Sequence, residues 1–188
     1  MRRAALLGLV ALAAAGCGSS ASRPDRALGP GGENLRPEVS ATARQTDLRR
    51  ALPLVGGISA RALGYRLVLA PRSDSALRAL TDTESHTITL YLARDDTPHR
   101  TAHDLAHELG HAWDAEHMTA ATRHAYLGAR GVPRASWWPT KGGLSDYDSG
   151  AGDFAEVFAL CHAASPDFRS RLAPRPADPC AVLPKGAS

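Results

Sequence analysis

The five residues His107-Glu108-Leu109-Gly110-His111 limit what this chain can fold into more than any other feature. On an α-helix, positions four apart lie about 40° from one another around the axis, so both imidazoles project from one face and can reach a single ion. The pattern requires a helix here and a second element that closes over that face. Glu108 follows the first histidine by one position, beside the open side of such an ion, where its carboxylate can take a proton from water. Leu105, Ala106, Leu109 and Ala112 make one flank apolar, as a buried metal helix needs, and Gly110 permits close backbone approach. The bland alternative is an amphipathic helix that carries solvated His and Glu.

A catalytic zinc needs a third protein ligand and one position left to water. Glu156 is the best remaining acid, because it stands in the first turn of a later helix that is otherwise apolar. Asp153 is the competing ligand. A third arrangement is a capping box, with Asp153 as the cap and Glu156 returning a bond to its backbone. His103 shares the face of His107 one turn earlier and reads as a solvated or hydrogen-bonded helix residue, while His117, His124 and His162 are isolated. Trp137 and Trp138 read as a core anchor in preference to a substrate groove.

Hydrophobic periodicity places these residues on elements. Residues 47–55 have a helical spacing that Pro53 interrupts, 65–70 read as a strand, and 86–92 alternate Thr87, Thr89 and Tyr91 against Ile88, Leu90 and Leu92. A long helix is expected over 97–116, capped by Thr97 with Pro98 in the first turn, and a second over 119–129. Residues 142–152 read as loop, and 153–164 as a third helix that Asp153 caps. The fold class expected is α+β: a small sheet with an edge strand near 86–92, packed on the His-Glu helix and followed by a mainly helical half.

Residues 1–16 carry two arginines and then an unbroken run of small and apolar residues, the composition of a signal peptide and too short to span a bilayer permanently. Ala14-Ala15-Gly16-Cys17 resembles the lipobox of bacterial lipoproteins, which implies a lipidated Cys17 anchored to the membrane; an ordinary secretory cleavage near Ala15 is the alternative. Residues 17–46 are rich in Ser, Pro, Gly and charge and poor in large apolar side chains, and read as a tether before a domain at 47–188. Both readings put the protein outside the cytoplasm. Cys161 and Cys180 there can form a bridge or remain unpaired. The net charge is +3, and Arg2 and Arg3 account for two of those charges, so no nucleic-acid footprint remains.

His107 to Asp114, HELGHAWD, together with Glu156 in EVFA, resembles the metalloprotease domain of anthrax lethal factor and its gluzincin relatives. The likeness covers roughly residues 90–164. It implies a zincin-like fold with Zn2+ on His107, His111 and Glu156, and Glu108 as general base. It also implies a tyrosine just before the glutamate helix that stabilises the oxyanion; Tyr147 is nearest, about two residues farther from the glutamate than in that family. The expected function is a zinc metalloendopeptidase acting as a monomer on a protein or peptide substrate. A zinc-stabilised binding lipoprotein without turnover is the alternative.

Overall fold

The computed structural model describes residues 40–73, 77–139, 145–163 and 165–188, which fall in the compact unit Arg36–Ser188. The signal, lipobox and most of the tether reading fall outside these residues. The first helix, α1 (Ala41–Ala51), begins within the stretch read as tether. Its boundary was hidden because Leu48 is its one large apolar side chain: the Ser40 hydroxyl accepts from the Ala43 N–H, and Ala51 alone is fully buried. Pro53 ends the helix as expected, and residues Leu52–Leu54 form a 3-10 turn.

Three strands follow: β1 (Arg66–Pro71), β2 (Ala79–Asp82) and β3 (Thr87–Leu92). The sheet order is β1-β3-β2, with β1 parallel to β3 and β2 antiparallel to it. β3 is therefore the central strand, which corrects the expectation of an edge strand near 86–92. Its alternation is real, since Ile88, Leu90 and Leu92 are buried on one face. Alternation reports which face meets the core and says nothing of lateral neighbours. The edge strand beside the site is β2, whose four residues, Ala-Leu-Thr-Asp, are too few to show a period.

Helix α2 (Pro98–His117) carries the HExxH pattern, and the Thr97 hydroxyl accepts from the Arg100 N–H at its start. α3 (Ala120–Ala129) is capped by Thr119 and Thr122 reciprocally. α4 (Gly150–His162) begins three residues before the expected cap. Ser149 is its N-cap, with its hydroxyl accepting from the Gly152 N–H. Asp153 thus lies inside the first turn and is not a cap. A short α5 (Pro179–Val182) completes the chain.

α2 packs against the sheet on one side and α4 on the other, which gives an α+β fold with a helical C-terminal half. Leu105, Leu109, Trp113, Phe154, Val157 and Phe158 join Ile88 and Leu90 in the core, and each fully buried large side chain contributes about 1.5–3 kcal/mol. Gly110 sits where α2 meets α4. A Cβ there would stand 2.9 Å from the Ala155 Cα and 3.1 Å from the Phe158 Cβ, so the close approach expected of this glycine is present. Cys161 and Cys180 form a disulfide with a Cα–Cα distance of 5.1 Å, resolving that alternative. It fastens the C-terminal tail to the end of α4.

Candidate metal centre

The spacing of His107 and His111 brings their Nε2 atoms to 3.2 Å from each other at the wall of a cleft. A third donor meets them there. The Asp146 Oδ2 lies 2.8 Å from His111 Nε2 and 3.3 Å from His107 Nε2. These are the three side chains among the described residues whose ligand atoms lie close enough together, within 4.8 Å, to hold one ion. Asp146 begins a 3-10 turn, Asp146–Asp148, where a loop was expected, and this turn is locked onto α4. The backbone N–H and the hydroxyl of Ser149 both donate to the Asp146 carbonyl at 2.7 Å. Gly152 lets that carbonyl press against the helix, because a Cβ at this position would overlap it.

Glu156, the carboxylate expected as third ligand, stands on the other side of His107. Its Oε1 lies 2.9 Å from His107 Nδ1 and 3.2 Å from His103 Nε2, and its Oε2 accepts from the Arg169 N–H at 2.5 Å. Both oxygens are thus occupied and fully buried, away from the nitrogens that converge. Glu156 lies well into α4, in the layer beneath the imidazoles, whereas Asp146 precedes the helix at the cleft wall.

Asp153 is not the cap, and it stands outside the group formed by His107, His111 and Asp146. Its buried carboxylate takes Arg130 Nε at 2.7 Å, the Tyr126 hydroxyl at 2.8 Å and the Ser170 hydroxyl at 2.5 Å. Of the two readings of His103 the hydrogen-bonded one holds: it is completely buried on Glu156, and its Nδ1 has no hydrogen-bond partner among the described residues.

Glu108 lines the cleft, and its Oε2 lies 2.8 Å from the hydroxyl of Thr81 on β2, a hydroxyl that is also 3.0 Å from the Glu108 carbonyl. Tyr147 meets the His107 ring edge-on, with centroids 5.6 Å apart. Its hydroxyl oxygen accepts from Arg169 Nη1 at 3.3 Å, and Arg169 also donates to Asp104 at 3.1 Å. Thr81, Asp146 and Arg169 escaped the sequence reading. Asp146 alone had a local signal, since two serines flank Asp-Tyr-Asp directly before the glutamate helix.

Charges in the centre are strongly coupled. Burial works to lower the pKa of His107, but hydrogen bonds to Asp146 and Glu156 and the charge of Glu108 hold it well above the ordinary value. Burial would raise Asp146, yet the two imidazoles pull it far below the usual carboxylate range. Glu156 is likewise raised by burial and brought down by His103 and His107, to about 2. Two imidazole nitrogens and a carboxylate that meet edge to edge want a positive charge among them. The donor set, two nitrogens and one oxygen, fits a divalent transition metal, and the Glu156 bond at Nδ1 leaves the His107 Nε2 lone pair for it. Comparison with family models, curated proteins and solved structures gives no match.

Proposed function

We propose that this chain is a zinc-dependent metalloendopeptidase of the zincin type, with His107, His111 and Asp146 as the protein ligands and Glu108 as the general base. The observation that carries the reading is the meeting of both Nε2 atoms with Asp146 Oδ2 in a cleft that Glu108 also lines. Three protein donors leave a position open, which distinguishes a catalytic zinc from a structural one with four. The zinc-binding lipoprotein alternative gives no role to a base held by Thr81.

A bound ion supplies Lewis acidity, polarising a carbonyl and making water in the cleft more acidic. Glu108 takes a proton from the attacking water and returns it to the amine nitrogen as the C–N bond breaks. Thr81 fixes the Glu108 carboxylate for both transfers. Arg169 donates to the oxygen of Tyr147, which leaves the phenolic hydrogen to donate to the oxyanion that develops on the carbonyl. Glu156 holds the His107 ring in its orientation and tautomer. The Cys161–Cys180 disulfide supports an extracytoplasmic site of action, consistent with anchoring through Cys17.

Metal analysis combined with a peptide-library cleavage assay tests this reading. About one zinc per chain, cleavage abolished by chelator, and Glu108→Gln that keeps zinc but loses on the order of 10³ or more in rate are expected. Equal cleavage by Glu108→Gln and the parent would overturn it.

A further inference from the structure

Among the described residues His103 is the only histidine with no exposed surface. It does not line the cleft, so it meets neither a substrate nor an ion there. Its link to the centre is Glu156: His103 Nε2 lies 3.2 Å from Oε1, the same oxygen that His107 Nδ1 approaches at 2.9 Å. The two histidines stand four apart on α2, so both rings reach that oxygen from one helix face, while the Arg169 N–H donates to Oε2 from the C-terminal tail.

The opposite nitrogen of His103 fixes which way the ring donates. Nδ1 is buried with no hydrogen-bond partner among the described residues. A neutral imidazole carries one N–H and one lone pair. A proton on Nδ1 would be a buried donor without an acceptor and would turn the Nε2 lone pair toward the Glu156 carboxylate. A proton on Nε2 gives that carboxylate a donor and leaves only a lone pair unused, which costs less. In the Nε2–H form, Glu156 Oε1 receives an N–H from each ring, and His107, with its proton on Nδ1, presents a bare Nε2.

Three donors on two oxygens fix the plane of the Glu156 carboxylate. Without His103, Oε1 keeps one donor, and the carboxylate can turn about its Cγ–Cδ bond away from His107. The His107 proton then has a competing acceptor, since Asp146 Oδ2 lies 3.3 Å from His107 Nε2, and a proton on that nitrogen blocks an ion. We propose that His103 is a positioning residue for the metal centre: acting through Glu156, it holds His107 in the form that offers Nε2 to the ion, and so sets how tightly the metal is bound. The proposal rests on the metal-centre reading and needs no turnover.

Two variants separate the donor from the bulk of the ring. His103→Leu fills the space without a donor, and His103→Gln places an amide N–H near the position of Nε2. Competition titration with a chromophoric chelator is expected to show zinc bound roughly 10–100-fold more weakly by His103→Leu, and within about threefold of the parent by His103→Gln. In the metal-free parent at about pH 8, long-range 1H–15N spectra of the histidine rings are expected to show His103 neutral with its proton on Nε2, a measurement that needs no variant to fold. Parent-like affinity in His103→Leu, an equal loss in both variants, or a His103 proton on Nδ1 overturns the proposal. Peptide cleavage keeps the readings apart. A zinc-loaded parent that cleaves nothing removes the peptidase reading alone, an active parent with any of those three results removes this proposal alone, and a parent that binds no zinc removes both.

Discussion

Glu156 Oε1 lies 2.9 Å from His107 Nδ1, the ring nitrogen opposite the one that faces Asp146. A carboxylate in this position would act on a bound metal through the histidine, accepting the Nδ1 proton and fixing the ring. Glu156→Gln is expected to weaken zinc binding by roughly 10–100-fold, the usual effect of losing such a partner. Asp146→Ala removes a proposed ligand and should weaken it more. Competition titration with a chromophoric chelator measures both; a larger loss in Glu156→Gln would return the ligand role to Glu156.

Gly152 touches no ligand side chain, yet it sets where Asp146 sits. A Cβ at position 152 would overlap the Asp146 carbonyl and come 3.0 Å from the Tyr147 nitrogen, so the turn must move. Gly152→Ala should lower zinc affinity while the disulfide-linked fold remains, as followed by circular dichroism. Affinity unchanged from the parent would show that the turn has slack.

Thr81 reaches Glu108 from the strand across the cleft. Thr81→Val keeps the shape and removes the hydroxyl, at a cost of about 0.5–1.5 kcal/mol for one hydrogen bond, so kcat should fall by up to about tenfold with zinc content intact. A fall in zinc content instead would place Thr81 in support of the metal and not of the base.

Metal binding should be pH-dependent in a direction that follows from His107. Its pKa in the metal-free protein is held well above 6.5 against burial by Asp146, Glu156 and Glu108, and the ion takes only the unprotonated ring. Apparent zinc affinity should therefore keep rising as pH increases past 6.5, by about tenfold per pH unit for each proton released. An affinity that levels off by pH 6.5 would contradict this. The raised pKa also means that this group stabilises the metal-free fold fully below pH 6.5 and loses that contribution as pH rises through the folded-state value. Metal-free protein should melt lower on the alkaline side on this account.

The parts of the fold legible in the sequence are those with a local cause. Four-residue spacing put His107 and His111 on one face, Thr97 announced its helix, and the apolar run around Glu156 marked a buried helix. What stayed hidden depends on long-range placement. Glu156 was legible as buried, but whether it meets Nε2 or Nδ1 of His107 depends on how deeply α4 packs against α2. Asp146 lies in a polar stretch with no periodicity, and Arg169 reaches the centre from a tail that the disulfide holds. β2 is four residues long, too short to show a period, so nothing local marked Thr81.

The ligand set is tested most directly by a crystal structure of the zinc-loaded protein with anomalous data collected on both sides of the zinc absorption edge. The expected result is one zinc about 2.0–2.2 Å from His107 Nε2, His111 Nε2 and an Asp146 oxygen, with Glu156 still on His107 Nδ1. An ion bound by Glu156 with Asp146 turned away, or no zinc peak between the two histidines, would contradict it.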